Sequence, residues 1–322
     1  MTTILLPASV DEGSLERFLL VISQPTDERV DVDFLHVRFF IPGALVALLA
    51  CIHKWVSVQK TVTLVNASKC PAFQYLQRFD FFHQCGIPLD ETFTRRDSTG
   101  RFVPIKAIGR GGRVDVGEVS TEIARCVAPE LAESWDPEET GLFDFVEYSI
   151  SELATNVIQH SGGAGFIAAQ VNDQSDTVRI GIADCGIGIL ESFARNGSPH
   201  WYAGMTDFRA ICKAMEPQVS CRSHLKTAWG QSINAGVGLT LLKSLATALR
   251  GTFCVASYTG FFQSVGTRTR GISWTYEPPF EGTLCAISFP RTRVTQFATM
   301  LDEAKFTNGL IRRDGDFREM FS

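Results

Sequence analysis

The chain of 322 residues is about twice the usual length of a domain, which predicts two domains or one domain with a large insertion. Hydrophobic residues make up 45% and charged residues 20%, a globular composition that excludes a disordered or fibrous chain. The formal charge of −5, from 30 Lys and Arg against 35 Asp and Glu, excludes a general attraction for nucleic acid or anionic lipid, so we expect neither partner.

The N-terminus and the strongest apolar run argue against export and membrane insertion. Residues 1–18 contain no basic segment followed by an apolar one, so we expect no signal peptide. The apolar run 39–52 is shorter than the roughly 20 residues of a membrane span and predicts a buried helix. The nine cysteines are odd in number and lack a pair pattern, which favours reduced thiols and a cytoplasmic protein.

Residues 1–92 alternate between predicted strands and helices. The strands are TTILLP, VDVDFLHVRFF and KTVTLVNA, and the helices are SLERFLLVISQ, PGALVALLACIHKWV and CPAFQYLQRFDFF. Pro42 and Pro71 each stand near the first turn of a helix, where proline is favoured. Such alternation predicts an α/β domain built from crossover units.

Residues 93–116 are basic and rich in glycine, which predicts a linker between two domains. The basic side chains of this stretch are Arg95, Arg96, Arg101, Lys106, Arg110 and Arg113. Few aromatic residues interleave with them, so a solvated face is favoured over a nucleic-acid patch. Within the stretch, RFVPIKAI is apolar enough to form an edge strand.

Residues 117–292 predict a second α/β domain, followed by a polar tail over residues 293–322. Two helical stretches precede the strands GFIAAQVN and TVRIGIADC, and an irregular segment covers residues 186–235. The helix GLTLLKSLATALR and the strands TFCVASYT, GISWTYE and TLCAISFP come last. Because turn-length gaps separate these last strands, we predict a mostly antiparallel sheet.

One helix of the second domain carries a polar stripe. Glu152, Asn156 and His160 are four residues apart, which places them on one face of an otherwise apolar helix. That stripe is expected to face something polar. His160 lies at the end of the helix, where a capping or packing role is as consistent with its position as a ligand contact.

Three glycine-containing elements follow the stripe. Asp184–Gly188, DCGIG, comes directly after an apolar strand, and its two glycines would let a ligand approach the backbone. Gly236–Leu239, GVGL, opens a helix, whose free N–H groups suit phosphate. Gly282-Thr283 begins the last strand. Each element alone has a structural explanation, whereas their joint order is far more specific.

Together the four elements resemble the GHKL ATP-binding family, which includes gyrase, the heat-shock 90 chaperones, histidine kinases and MutL mismatch-repair proteins. The resemblance covers about residues 115–292. It implies a Bergerat fold, an α/β sandwich in which helices cover one face of a mixed, mostly antiparallel sheet and ATP lies between a helix and a lid. The chain contains neither a Walker loop nor a Rossmann fingerprint.

The resemblance implies a role for each motif residue. Asn156 would coordinate Mg²⁺, and Glu152 would act as a general base. Asp184 would accept a hydrogen bond from the adenine amino group, supported by Thr283. The other residues expected to line the adenine pocket or to face the phosphates are His160, Gly186, Gly188, Gly236, Val237, Gly238 and Leu239.

The first 92 residues are similar in pattern to STAS domains, the α/β modules of anti-sigma-factor antagonists. Signalling members of that family carry a phosphorylated serine in a turn where this chain has Phe40-Ile41-Pro42-Gly43. Because this turn has no hydroxyl group, we expect a docking or dimerisation role for the module and no phosphorylation.

The resemblance leaves three functions open, each with a protein partner and with a homodimer as one option. The first is a Mg-ATP-dependent conformational switch, in which a lid over residues 189–235 closes and Glu152 slowly hydrolyses ATP. The second is an anti-sigma-type serine kinase that acts on a separate STAS protein. The third is a non-catalytic ATP-binding interaction protein, since no transducer domain follows to supply a catalytic lysine.

Overall fold

Two sheets organise the chain. A computed structural model describes residues 1–23, 25–87, 89–109, 115–134, 136, 139–219, 236–274 and 280–311. Within these ranges a three-stranded parallel sheet belongs to the first part of the chain and a seven-stranded sheet to the second. The predicted α/β class is therefore confirmed.

The N-terminal unit alternates strands and helices as predicted. Its elements are β1 (Thr2–Leu5), β2 (Ser9–Val10), α1 (Leu15–Val21), β3 (Arg29–Asp33), β4 (Phe39–Phe40), α2 (Pro42–Ser57), β5 (Thr61–Val65), α3 (Phe73–Arg78) and α4 (Phe81–Gln84). The sheet order is β1-β3-β5, and β2 pairs with β4 in parallel. The strand predicted over VDVDFLHVRFF is interrupted, because the Asp33 carboxylate accepts the Leu35 N–H and turns the chain.

The second part of the chain forms an antiparallel sheet with helices. Its elements are β6 (Phe102–Gly109), α5 (Val116–Val127), α6 (Gly141–Asn156), a π-helical turn (Val157–Ser161), β7 (Ala164–Asn172), β8 (Thr177–Asp184), α7 (Gly188–Arg195), α8 (Asp207–Ala214), α9 (Gly238–Ala248), β9 (Thr252–Tyr258), β10 (Gly260–Val265), β11 (Arg268–Ser273), β12 (Phe280–Pro290) and α10 (Phe297–Thr307). The strand order is β11-β10-β9-β12-β8-β7-β6. Every pairing in it is antiparallel, where we expected a mixed, mostly antiparallel sheet.

Two sequence predictions need correction here. The segment predicted to be irregular contains α7 and α8. Three strands were predicted at the end of the sheet, but the described residues form four. Strand β10 was missed, and β11 begins before GISWTYE. The edge strand expected within residues 93–116 is confirmed as β6, which lies at one edge of the large sheet and buries Val103, Ile105 and Ile108.

The large sheet separates two hydrophobic cores. On one face α5, α6, α9 and α10 pack over residues such as Ile167, Ile182 and Ile287. On the other face the N-terminal unit packs over Phe166 and Leu284. The two predicted domains therefore share one core along this second face.

Helix α2 is the centre of that shared core. It packs against β7, β8 and β12 on one side and contacts β5 and α1 on the other. Its apolar sequence is explained by this position, because a helix that is covered all round is hydrophobic all round. The run 39–52 forms β4 and most of α2, and no helix among the described residues is long and apolar enough to cross a membrane.

Two of the described basic residues in the stretch 93–116 are paired with carboxylates. Arg95 forms ion pairs with Asp80 and Glu91, and Lys106 lies 2.7 Å from Glu122. The predicted basic residues Arg110 and Arg113 lie outside the described residues.

Candidate functional site

A cavity of about 280 Å³ lies over the ends of β8 and β12 and the start of α9. This volume is close to the lower end of the ~300–1,000 Å³ typical of small-molecule sites. Ten of the eleven sequence-predicted site residues line it. They are Glu152, Asn156, His160, Asp184, Gly188, Gly236, Val237, Gly238, Leu239 and Thr283. The chain thus brings four separate sequence elements to one place.

Asp184 is the most deeply buried acid of the cavity. It ends β8 with 2% of its surface exposed, and its Oδ1 accepts the Gly186 N–H at 2.7 Å. Thr283 on β12 lies directly opposite it in the sheet register. Burial raises the pKa of Asp184 to about 6, although hydrogen bonds from Gly186, Ser161 and Thr283 oppose the shift. Such a carboxylate is a strong acceptor for a ligand N–H donor.

Gly186 is the one predicted residue that does not line the cavity. A β-carbon there would overlap the carbonyl and hydroxyl oxygens of Ser161, and the next residue, Ile187, donates its N–H to the Ser161 carbonyl at 3.0 Å. Its role is therefore to let the loop after β8 pack directly on the π-helical turn. The expectation that Gly186 shapes an adenine pocket stays a prediction.

Gly188 lines the cavity and needs to be glycine for two reasons. Its φ of +71° is unfavourable for other residues, and a β-carbon would overlap the ring of Tyr258. Strand β9 holds the following residue as well, since the Ile189 N–H donates to Ser257 Oγ at 3.0 Å. The same hydroxyl donates to the Gly282 carbonyl at 3.0 Å. Ser257 thus ties α7 to β12 beside the cavity.

Glu152 lies against the N-terminus of α9. A β-carbon at Gly238, the first residue of α9, would overlap the Glu152 carboxylate, so glycine is needed for this contact. Glu152 is partly buried, and burial raises its pKa. Because the first N–H groups of a helix have no partner within it, this end of the cavity offers donors beside an acid.

A π-helical turn carries the end of the polar stripe. Helix α6 ends at Asn156, and the turn from Val157 to Ser161 contains His160. Glu152, Asn156 and His160 all line the cavity, although the last step of the stripe is not α-helical. Such turns occur often at functional sites, but the sequence pattern gave no signal for this one.

Helices α7 and α8 add a wall that the sequence reading missed. The lining residues from this side are Ile189, Ser192, Phe193, Ala214 and Val219. Ser192 is 5% exposed, and its Oγ makes no hydrogen bond to any described residue. The four-residue spacing of Ile189 and Phe193 was the available signal for α7. The rest of the predicted lid, residues 220–235, lies outside the described residues.

Comparison with known proteins assigns no family to the chain. A scan against protein-family models found no match, and a search of the curated proteins found none. The function must therefore be inferred from the chemistry of the cavity, above all from the buried Asp184 and from Glu152 beside a helix N-terminus.

Proposed function

We propose that this chain is a GHKL-type protein that binds Mg-ATP in the cavity and acts as a nucleotide-dependent switch on a protein partner, with slow ATP hydrolysis. The main support for the proposal is that ten motif residues from four separate stretches of the sequence line a single cavity. The antiparallel sheet with helices packed on the cavity side agrees with it in coarse outline.

The donor set of the cavity suits a purine nucleotide. Asp184 supplies a buried acceptor for an exocyclic amino group, with Thr283 on the neighbouring strand. Gly238 opens α9 and offers backbone N–H groups to phosphate oxygens. Asn156 supplies an amide oxygen, a hard ligand of the kind that Mg²⁺ takes together with phosphates and water.

Glu152 is the residue proposed to activate water. Its carboxylate contacts the N-terminal glycine of α9, which is the proposed phosphate end of the cavity. Burial raises its pKa, which brings the group closer to the neutral range where a general base is most effective. A carboxylate that touches the phosphate-binding element is therefore suitably placed for slow hydrolysis.

We also propose that the N-terminal unit is related to STAS domains. Ile41, Pro42 and Gly43 of the corresponding turn are buried against the large sheet. A kinase could not phosphorylate this turn, because the turn has no hydroxyl group and is buried. A partner protein, or a second copy of the chain, would bind the outer surface of this unit.

The test is to titrate the purified chain with ATP and Mg²⁺ in a calorimeter and to follow phosphate release and intact mass in the same samples. Saturable binding with release and unchanged mass supports the switch. Binding without release indicates a non-catalytic ATP-binding protein, and labelled phosphate on an added STAS protein indicates the kinase.

Two variants make this test specific. Asn156→Ala should remove the Mg²⁺ dependence of ATP binding, because it removes the proposed ligand oxygen. Asn172→Ala is the matched control, since Asn172 ends β7 and does not line the cavity. If the wild-type chain binds no nucleotide at millimolar ATP, the proposal is wrong.

A further inference from the structure

Helix α2 connects the N-terminal unit to the strands that carry Asp184 and Thr283. Near its start, Gly43 touches β8 at Gly181, three residues before Asp184. Near its end, Lys54 Nζ lies 3.3 Å from Glu281 Oε2, two residues before Thr283. The helix therefore contacts the cavity strands from the opposite face of the sheet.

Glu281 lies in an irregular stretch of β12. The register with β9 shifts between Phe280 and Thr283, so Glu281 and Gly282 are out of the regular pairing. Gly282 has a φ of +133°, and a β-carbon there would overlap the Asp184 carbonyl oxygen. Regular pairing resumes at Thr283. The position of Thr283 in the cavity thus depends on how this bulge is held.

Two groups hold the bulge from different sides. On β9, Ser257 Oγ donates to the Gly282 carbonyl at 3.0 Å. On α2, Lys54 pairs with Glu281, and the side chains of both residues are only 25% exposed. A partly shielded ion pair is weakened less by salt than an exposed one and fixes its partners more firmly.

We propose that Lys54 is a positioning residue for the cavity and that its ion pair with Glu281 couples the N-terminal unit to nucleotide affinity. The inference rests on the proposed function for the identity of the ligand, Mg-ATP. Because such coupling is reciprocal, a partner that moves α2 changes nucleotide affinity, and bound nucleotide changes the affinity for that partner.

A charge-swap cycle on the intact chain tests this inference. Lys54→Glu and Glu281→Lys should each weaken Mg-ATP binding by about 3- to 10-fold in calorimetry, the range expected for coupled neighbours. The double variant should restore affinity to within about twofold, and Lys54→Arg should retain it. Lys54→Gln is the milder variant should Lys54→Glu fail to fold.

A second ion pair between the unit and the sheet provides the matched control. Glu16 of α1 lies 2.7 Å from Arg270 of β11, and neither residue lines the cavity. Swapping the Glu16 and Arg270 charges singly should lower the melting temperature without changing Mg-ATP affinity. The comparison separates weaker packing of the N-terminal unit on the sheet from a change in the position of Thr283 in the cavity.

The outcomes are distinguishable. If the Lys54 and Glu281 variants bind Mg-ATP like wild type, or if the double variant is no better than the single ones, the coupling is refuted while the nucleotide site stands. If the wild-type chain binds no Mg-ATP, the proposed function fails and the coupling to nucleotide fails with it.

Discussion

Gly181 of β8 and Gly43 of α2 are in direct backbone contact. A β-carbon at Gly181 would lie 2.5 Å from the Cα atom of Gly43, and a β-carbon at Gly43 would lie 3.0 Å from that of Ala286. Three small residues thus allow the first turn of α2 to lie directly on the sheet. This contact explains why the second residue of α2 is a glycine.

Replacing Gly181 should therefore separate the N-terminal unit from the sheet. We expect Gly181→Ala to lower the free energy of unfolding by about 2–3 kcal/mol, because the new methyl group overlaps backbone atoms that cannot rotate away. Urea denaturation measures the change. Gly13→Ala is the control, since its β-carbon would meet Asp11 Oδ1 at an ordinary 3.6 Å. Equal effects at both positions would contradict the packing argument.

Asp184 should make the unliganded protein less stable as the pH rises. Its pKa is about 6 in the folded chain against an ordinary 3.8, so the contribution of Asp184 to stability is most favourable below pH 4, where the acid is protonated in both states. That stability is lost between about pH 4 and 6. Asp184→Asn should be more stable than wild type by up to about 3 kcal/mol above pH 6 and equal to it below pH 4.

Denaturant titrations at pH 4 and pH 7.5 measure this difference. Asp176→Asn provides a control of opposite sign, because hydrogen bonds from Thr292 and Arg291 lower the pKa of Asp176. Its carboxylate stabilises the fold at neutral pH, and this stability is lost as the pH falls through the folded pKa. A pH-independent effect of Asp184→Asn would show that burial of its charge is not the cause.

Glu152→Gln should abolish turnover and preserve binding. We expect phosphate release to fall by about 100-fold or more, because the amide cannot accept a proton from water, while Mg-ATP affinity stays within a few-fold. Wild-type turnover should rise with pH and level off above the ordinary range for glutamate, since burial raises the pKa of Glu152. Glu147→Gln on the same helix is the control, because Glu147 accepts the Thr121 hydroxyl and does not line the cavity.

Ser192→Ala should leave the unliganded protein as stable as wild type or raise its stability by up to about 1 kcal/mol. The Ser192 hydroxyl is buried without a partner among the described residues, so its removal leaves no hydrogen bond unmade. Ser149→Ala should instead cost about 1 kcal/mol, because Ser149 Oγ donates to the Phe145 carbonyl at 2.7 Å. Thermal unfolding of the two variants compares these effects, and a clear loss at Ser192 would reveal a partner for its hydroxyl.

Local patterns predicted most of the elements, and the motifs that carry the family resemblance supplied ten of the residues that line the cavity. The i, i+4 spacing of Glu152 and Asn156 placed both on one helix face, and the alternation in GFIAAQVN and TVRIGIAD predicted β7 and β8. The π-helical turn was missed, because the three- and four-residue spacing that predicts an α-helix does not reveal a π-helical turn. Helices α7 and α8 have eight residues each and were missed, although Ile189 and Phe193 of α7 lie four residues apart.

Sequence patterns alone indicate that α2 is buried, that polar and glycine-rich elements follow the apolar ones in a fixed order, and that Asp184 ends a strand. What each of these elements contacts depends on the three-dimensional fold. It placed α2 between two sheets, joined the two predicted domains through one core, and packed Gly186 against Ser161. The physical reason is that side-chain periodicity reports whether a face is covered, whereas the partner that covers it is set by contacts between residues far apart in the chain.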